Sequence, residues 1–300
     1  MGEGFRVGVG FPQTEIGADF AVIRDFAQAV EAMGYSHLTA YDHIVGADRS
    51  VRPEWQGLYD LDDMFHEPLT LFSYLAGVTT TLGLMPAIIP LPQRQAVLFA
   101  KQAATLDVLS GGRLTLGVGL GWNDIEYQAL GVDFAKRVPI FEEQIGLLRR
   151  LWTDPNVAAE GQFHTLASVG LNPLPVQQPI PLYIGAIVPA AIRRAARLGD
   201  GWISTVDGDQ AEEAVGMFRD LVTECGRDPQ AVRVVSDTHL GTTIGGAVRT
   251  ADDAVRATEQ WRRAGAAGTA FDTTNMGLTS IDQHLDLLRR IADGLGLAKG

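Results

Sequence analysis

Cysteine is almost absent. Cys225 is the only one in 300 residues, so no disulfide can close within the chain and nothing marks an oxidising compartment. Long hydrophobic runs are missing too: the apolar stretches are strand-sized and interrupted by Gly or Pro, too short for a membrane span. The opening residues, Met1 to Arg6, lack a basic segment followed by an apolar one, so no secretory leader is expected. Arg6 also stands where a myristoylation signal would want Ser or Thr. Positive charge is outweighed: the formal net charge of −12 repels nucleic acid and anionic lipid. The arginine pairs Arg149-Arg150, Arg193-Arg194 and Arg289-Arg290 are scattered over helices and read as solvated faces, not as a basic patch. These absences point to a cytoplasmic protein whose partner is a small molecule.

Several chemistries are missing as well. The six histidines are dispersed, and no His-x-His or His-Glu-x-x-His spacing supports a metal site. There is no Gly-x-Ser-x-Gly elbow, no Gly-Lys-Ser/Thr phosphate loop and no thiol pair. Hydrolysis by serine, cysteine or metal is therefore disfavoured.

What is present is alternation. Short β-branched or apolar runs are followed by amphipathic helices from one end to the other, the pattern of parallel strands with helical crossovers. Strands are expected at Arg6 to Phe11, His37 to Ala40, Leu82 to Pro90, Arg113 to Val118, Leu182 to Gly185, Gly201 to Thr205, Val232 to Thr238 and Thr269 to Asp272. The helix before Asn156 repeats Phe141, Ile145, Leu148 and Trp152 on one face. Ile44 to Asp63 shows no period and reads as a long loop carrying Trp55 and Tyr59. Asn156 to Pro181 reads as an insertion, because the alternation resumes directly after it. A doubly wound sheet uses the same units. Eight near-regular units favour instead a (β/α)8 TIM barrel with loop insertions, one domain over residues 1–300, with its site at the carboxyl ends of the strands.

Three strand ends draw attention. Asp42-His43 follows the second strand; a carboxylate beside an imidazole can hold a polar edge and move a proton, or can simply cap the loop. After the fourth strand, Gly117 to Asn123 (GVGLGWN) lets a flat ring approach the backbone, although a tight turn would use the same glycines. Its spacing is Gly-x-Gly-x-Gly, not the dinucleotide fingerprint. After the fifth strand, Gly185-Ala-Ile-Val-Pro189 runs into a helix whose first N–H groups attract a phosphate, a weak signal on its own.

Together these segments resemble the luciferase-like monooxygenase family, and within it the coenzyme F420-dependent oxidoreductases. The match is densest from Leu91-Pro-Gln-Arg94 through Ala100 to Arg113, Gly117 to Asn123 and Ala129-Leu-Gly131. A second block runs from Leu171-Asn-Pro to Pro179, then Ile184-Gly185 and Ala195 to Trp202. The resemblance implies a luciferase-like barrel that moves a hydride between F420 and a small organic substrate. Asp42 would contact the deazaflavin's polar edge, and His43 would be the acid/base. Ala87-Ile88 falls where members carry a cis non-prolyl bulge behind the ring. Gly119, Leu120, Gly121, Trp122 and Asn123 would line ring and tail, and Gly185 and Ala186 would meet the phosphate. Members often have Gly and then Ser or Thr where this chain has Ala186, Ile187 and Val188, so two hydroxyl donors are missing there. The resemblance also implies a homodimer. An FMN-dependent monooxygenase of the same fold and a non-catalytic flavin- or deazaflavin-binding barrel are the alternatives. The Ile44 to Asp63 loop is the candidate lid or substrate wall.

Overall fold

The computed structural model describes residues 4–241 and 249–297; the reading of a missing leader at Met1 to Glu3 lies outside them. The first half of the chain runs β1 (Arg6–Gly10), α1 (Phe20–Ala32), β2 (His37–Ala40), α2 (Pro68–Val78), β3 (Gly83–Pro86), β4 (Ile89–Pro90), α3 (Ala96–Ser110) and β5 (Leu116–Gly119). A short helix α4 (Asp124–Ala129), a long α5 (Arg137–Thr153) and a hairpin of β6 (Val157–Glu160) and β7 (Thr165–Val169) follow. The second half is β8 (Leu182–Gly185), α6 (Pro189–Leu198), β9 (Gly201–Ser204), α7 (Ala211–Glu224) and β10 (Arg233–His239). It ends with α8 (Ala251–Arg263), β11 (Gly268–Asp272) and α9 (Ile281–Leu295).

Apart from the hairpin, the strands form one parallel sheet in the order β3-β2-β1-β11-β10-β9-β8-β5-β4. β3 and β4 are halves of one strand, parted at Ala87-Ile88, where the peptide bond is cis. β4 pairs with β5, while Leu84 of β3 exchanges backbone hydrogen bonds with Arg113 and Thr115 just before β5, both at 3.0 Å. The two ends of the sheet thus meet on one strand and the barrel is closed. The single strand expected from Leu82 to Pro90 is broken because a bulge redirects the chain there. Pro86 and Pro90 each end one half, where a missing N–H costs the ladder little.

Local chemistry places the helices. Asp19 accepts from Ala21 N at the start of α1, Glu67 caps α2 ahead of Pro68, and Gly111 ends α3 in the left-handed region with φ 67°. Phe141, Ile145, Leu148 and Trp152 are all buried against the barrel, as their spacing requires. The barrel interior is plugged by Met85, Ala87, Ile203 and Val235. Ala87 and Ile203 of this layer also line the open space, which lies at the carboxyl ends of the strands.

Candidate active site

That space is a cavity of about 480 Å³, within the usual size of a ligand pocket. The residues that the family resemblance assigns to cofactor or catalysis all line it: Asp42, His43, Ala87, Ile88, Gly119, Leu120, Gly121, Trp122, Asn123, Gly185 and Ala186. Four strands, β2, the broken β3–β4 strand, β5 and β8, bring them together. Ile88, Ile184 and Ile203 give the floor its apolar character. The glycines keep that floor low: a Cβ on Gly119 would stand 2.7 Å from Ile88 Cδ1, and one on Gly185 2.6 Å from Ile88 Cγ2. Either would push the Ile88 side chain up into the cavity. Gly121 has φ 68°, open to glycine at little cost.

His43 is half of a pair. Its Nδ1 lies 2.9 Å from Glu126 Oε1, and Glu126 is 1% exposed. The same oxygen accepts from Ile44 N at 3.2 Å, and Oε2 accepts from Gln93 Nε2 at 3.0 Å. A carboxylate surrounded by donors obliges Nδ1 to donate, which leaves Nε2 as the lone-pair nitrogen of the neutral ring. The imidazole is wedged among Tyr59, Phe65 and Trp122, with ring centroids 4.9, 4.7 and 5.8 Å away. Glu126 sits on α4, which the sequence reading passed over. The signal was available in Asn123-x-x-Glu126, the spacing of a helix start. Asn123 Oδ1 does cap the helix, accepting from Ile125 N at 3.2 Å, while Glu126 turns inward to His43.

Asp42 is held differently. Arg94 Nη2 donates to both its oxygens, at 2.6 and 2.5 Å, and Arg94 Nη1 donates to Glu67 at 3.0 Å. Burial raises the Asp42 carboxyl to about 6 against the pull of Arg94, and the two Arg94 hydrogen bonds fix it in place.

On the β10–β11 side the cavity carries groups that the sequence reading did not pick out. Tyr41 Oη donates to Asp272 Oδ2 at 2.9 Å and stacks on His239, the rings 6.1 Å apart. His239 Nδ1 lies 3.1 Å from the same oxygen. Burial works against a charged His239, but the hydrogen bond to Asp272 and the charges of Asp237 and Asp272 raise it to about 9. Burial raises the Asp237 carboxyl to about 6, with His239 opposing and Asp272 reinforcing. Asp272 is pulled below its ordinary value, burial being outweighed by His239 and by Thr274. These residues were legible in principle, since Ser236-Asp-Thr-His239 is a polar run ending a strand of a barrel whose sites lie at strand ends.

On the β8 side lie Arg137 and Arg194. Arg194 is not the solvated residue its helical pair suggested. Its side chain is 13% exposed, and its Nε donates to Glu142 at 2.9 Å. Arg137 packs over Phe134, and its Nε is buried with no partner among the described residues. Thr205 supplies a hydroxyl among the cavity walls, near the stretch where Ala186, Ile187 and Val188 supply none.

The long loop closes one side. Leu58 and Tyr59 line the cavity, and Trp55 stacks on Trp122 at 5.8 Å and 20°. An Ala47–Asp60 bridge and the Arg49–Asp60 ion pair clip the base of the loop.

Among the described residues no helix is long and apolar enough to cross a membrane, and no group of three or more His, Cys, Asp or Glu is placed to hold a metal ion. The family model described as luciferase-like monooxygenase matches residues 5–289. An uncharacterised protein of Mycobacterium tuberculosis is 34% identical over 252 residues, 82% of this chain and 86% of that one. An FMNH2-dependent dimethylsulfone monooxygenase of Pseudomonas fluorescens is 30% identical over 226 residues, 74% of this chain and 57% of that one. Among solved structures, an F420-dependent secondary alcohol dehydrogenase in complex with an F420-acetone adduct superposes with a TM-score of 0.79. It is 15% identical and covers 97% of this chain and 99% of its own, a likeness of fold.

Proposed function

The chain belongs to the luciferase-like monooxygenase family, and on that premise we propose that it is an oxidoreductase exchanging a hydride between coenzyme F420 and a small organic substrate. The observation that carries this reading is the His43–Glu126 pair on the wall of an apolar-floored cavity. Hydride exchange between an alcohol and a carbonyl needs one proton acceptor at the substrate oxygen, and an imidazole with its far nitrogen tied to a carboxylate is such a group.

The residues present fit a flat ring with a phosphate-bearing tail. Gly119 and Gly185 let the floor at Ile88 lie low enough for a ring. Asp42, its carboxylate fully buried against Arg94, would back the ring's polar edge from the cavity wall. Arg137, with its unpartnered buried Nε, and Arg194 line the cavity together with Ile187 and Val188 at the start of α6, where a phosphate would be held. F420 supplies hydride transfer at a ring carbon and no activation of oxygen; the protein supplies position and proton movement. His43 Nε2 takes the hydroxyl proton of an alcohol, or returns it to a carbonyl oxygen, while Glu126 stabilises the imidazolium. Tyr59, Phe65 and Trp122 hold the imidazole in one orientation and keep water from it.

The second reading is an FMN-dependent monooxygenase, favoured by the identity to the Pseudomonas fluorescens enzyme. Side-by-side fluorescence titration of the protein with F420 and FMN separates the two. Tighter F420 binding is expected; tighter FMN binding moves the reading to the monooxygenase, and binding of neither overturns both.

A further inference from the structure

The polar cluster beside β10 and β11 has no part in the proton transfer assigned to His43. Alternation along β10 turns Val235, Asp237 and His239 toward the barrel interior. Val235 belongs to the plug, and Asp237, next on that face, lines the cavity above it. Asp272 is saturated: Oδ2 accepts from Tyr41, His239 and Thr274 Oγ1, and Oδ1 from Thr274 N at 2.9 Å. Asp237 is not. Its Oδ2 is 3.4 Å from Tyr41 Oη and 3.9 Å from His239 Nε2, and its Oδ1 is buried with no partner among the described residues. The residue is 5% exposed. Two carboxyl groups therefore face one imidazole ring, and one of them keeps an oxygen free. Arg249, the other cation acting on His239, is held by Asp207. A buried carboxylate oxygen without a donor is costly, of order several kcal/mol, unless a ligand brings one.

We propose that this end of the cavity recognises the ammonium group of a small primary amine, so that the substrates are alcohols or ketones carrying an amine on a compact apolar body. An ammonium brings three donors and a positive charge beside two carboxyl groups; a hydroxyl brings a donor without charge, and a carboxylate brings neither. Ile88 and Ile203 give the body its apolar surroundings. The proposal rests on the cavity being the substrate site described above, but recognition at Asp237 is measurable without any turnover.

The test is calorimetric titration of the full-length protein, with and without saturating F420, using cyclohexylamine, cyclohexanol and cyclohexanecarboxylate, which differ only in the head group. The amine is expected to bind about tenfold or more tighter than the alcohol, a difference of about 1.4 kcal/mol, with no binding of the carboxylate and no competition from F420. In Asp237→Asn the amine should fall to the affinity of the alcohol, while F420 binding is retained. The wild-type panel decides the head-group preference by itself, whatever the folding of the variant. No amine binding, equal affinity for amine and alcohol, or a preference unchanged in Asp237→Asn overturns the proposal. So does displacement of the amine by F420, which would make the acidic end part of the cofactor's own site. An amine preference in protein that binds no F420 supports the ammonium site and overturns the cofactor reading, which keeps the two failures apart.

Discussion

His43 and Glu126 lie 83 residues apart in the chain and 2.9 Å apart in space. The first lies in the loop just after β2, the second projects from the short helix after β5, and the barrel brings the two segments together. The contact decides which imidazole nitrogen faces the cavity, so chemistry assigned to His43 depends on a residue that never needs to touch the substrate.

Glu126→Gln should therefore reduce turnover by about tenfold or more, and His43→Ala by about a hundredfold or more, the usual worth of a positioned acid/base. F420 affinity should stay within about twofold in both, since neither side chain forms the floor or the phosphate end. Steady-state kinetics paired with F420 titration checks the split. Unchanged turnover in His43→Ala would make it a wall residue.

Gly185→Ala should lift the floor. The new Cβ meets Ile88 Cγ2 at 2.6 Å; that methyl sits on a branched, rotationally stiff carbon, so the whole Ile88 side chain must shift, at a stability cost of about 1–3 kcal/mol. Cofactor affinity should fall by about tenfold or more, and Ile88→Ala in the same chain should recover most of it. A double-mutant cycle on the dissociation constant reads the coupling directly; additive effects would mean that the two positions do not share the floor.

Trp55→Ala removes the stack on Trp122 at the cavity rim. The expected result is a several-fold rise in the Michaelis constant of the substrate with cofactor affinity unchanged. Deleting residues 50–58, leaving the Ala47–Asp60 clip, should act in the same direction and more strongly. Equal loss of both affinities would remove the loop from the substrate side.

His239 makes stability depend on pH. Its folded-state value is raised from the ordinary 6.5 to about 9, so the stabilisation is fully present below about 6.5 and is lost as pH rises through 9. The groups facing it are Tyr41 just after β2, Asp237 on its own strand, Asp272 from β11 and, at longer range, Arg249. The melting temperature should fall across this window in the wild type by more than in His239→Gln, with a difference on the order of 2 kcal/mol for a coupled buried group. Parallel pH profiles for the two proteins would contradict this account of the cluster.

The barrel was legible because its rules are local. His37 to Ala40 and Leu182 to Gly185 stand where the apolar runs put them, and Pro189 opens α6. The face of α5 from Phe141 to Trp152 is buried as its period requires. The break between β3 and β4 was not visible as a break, since Leu82 to Pro90 is continuously apolar and periodicity does not report a bulge. Asp42 and His43 were visible from position, but their partners Arg94 and Glu126 were not, because ion pairing across the barrel leaves no spacing in the chain. Asp237 and His239 lay on a strand whose end was read for length and not for chemistry. Arg194 was misread because a helical arginine beside another looks solvated until α5 is packed against it.

The most direct measurement is anaerobic stopped-flow mixing of the F420-loaded protein with a panel of small alcohols, amino alcohols among them, following loss of the oxidised deazaflavin's absorbance. Substrate-dependent bleaching without oxygen, slowed about a hundredfold in His43→Ala, is the predicted result. An F420-loaded protein that no alcohol reduces, alongside substrate-dependent oxygen consumption by the same protein with reduced FMN, would contradict it and assign the cavity to monooxygenation.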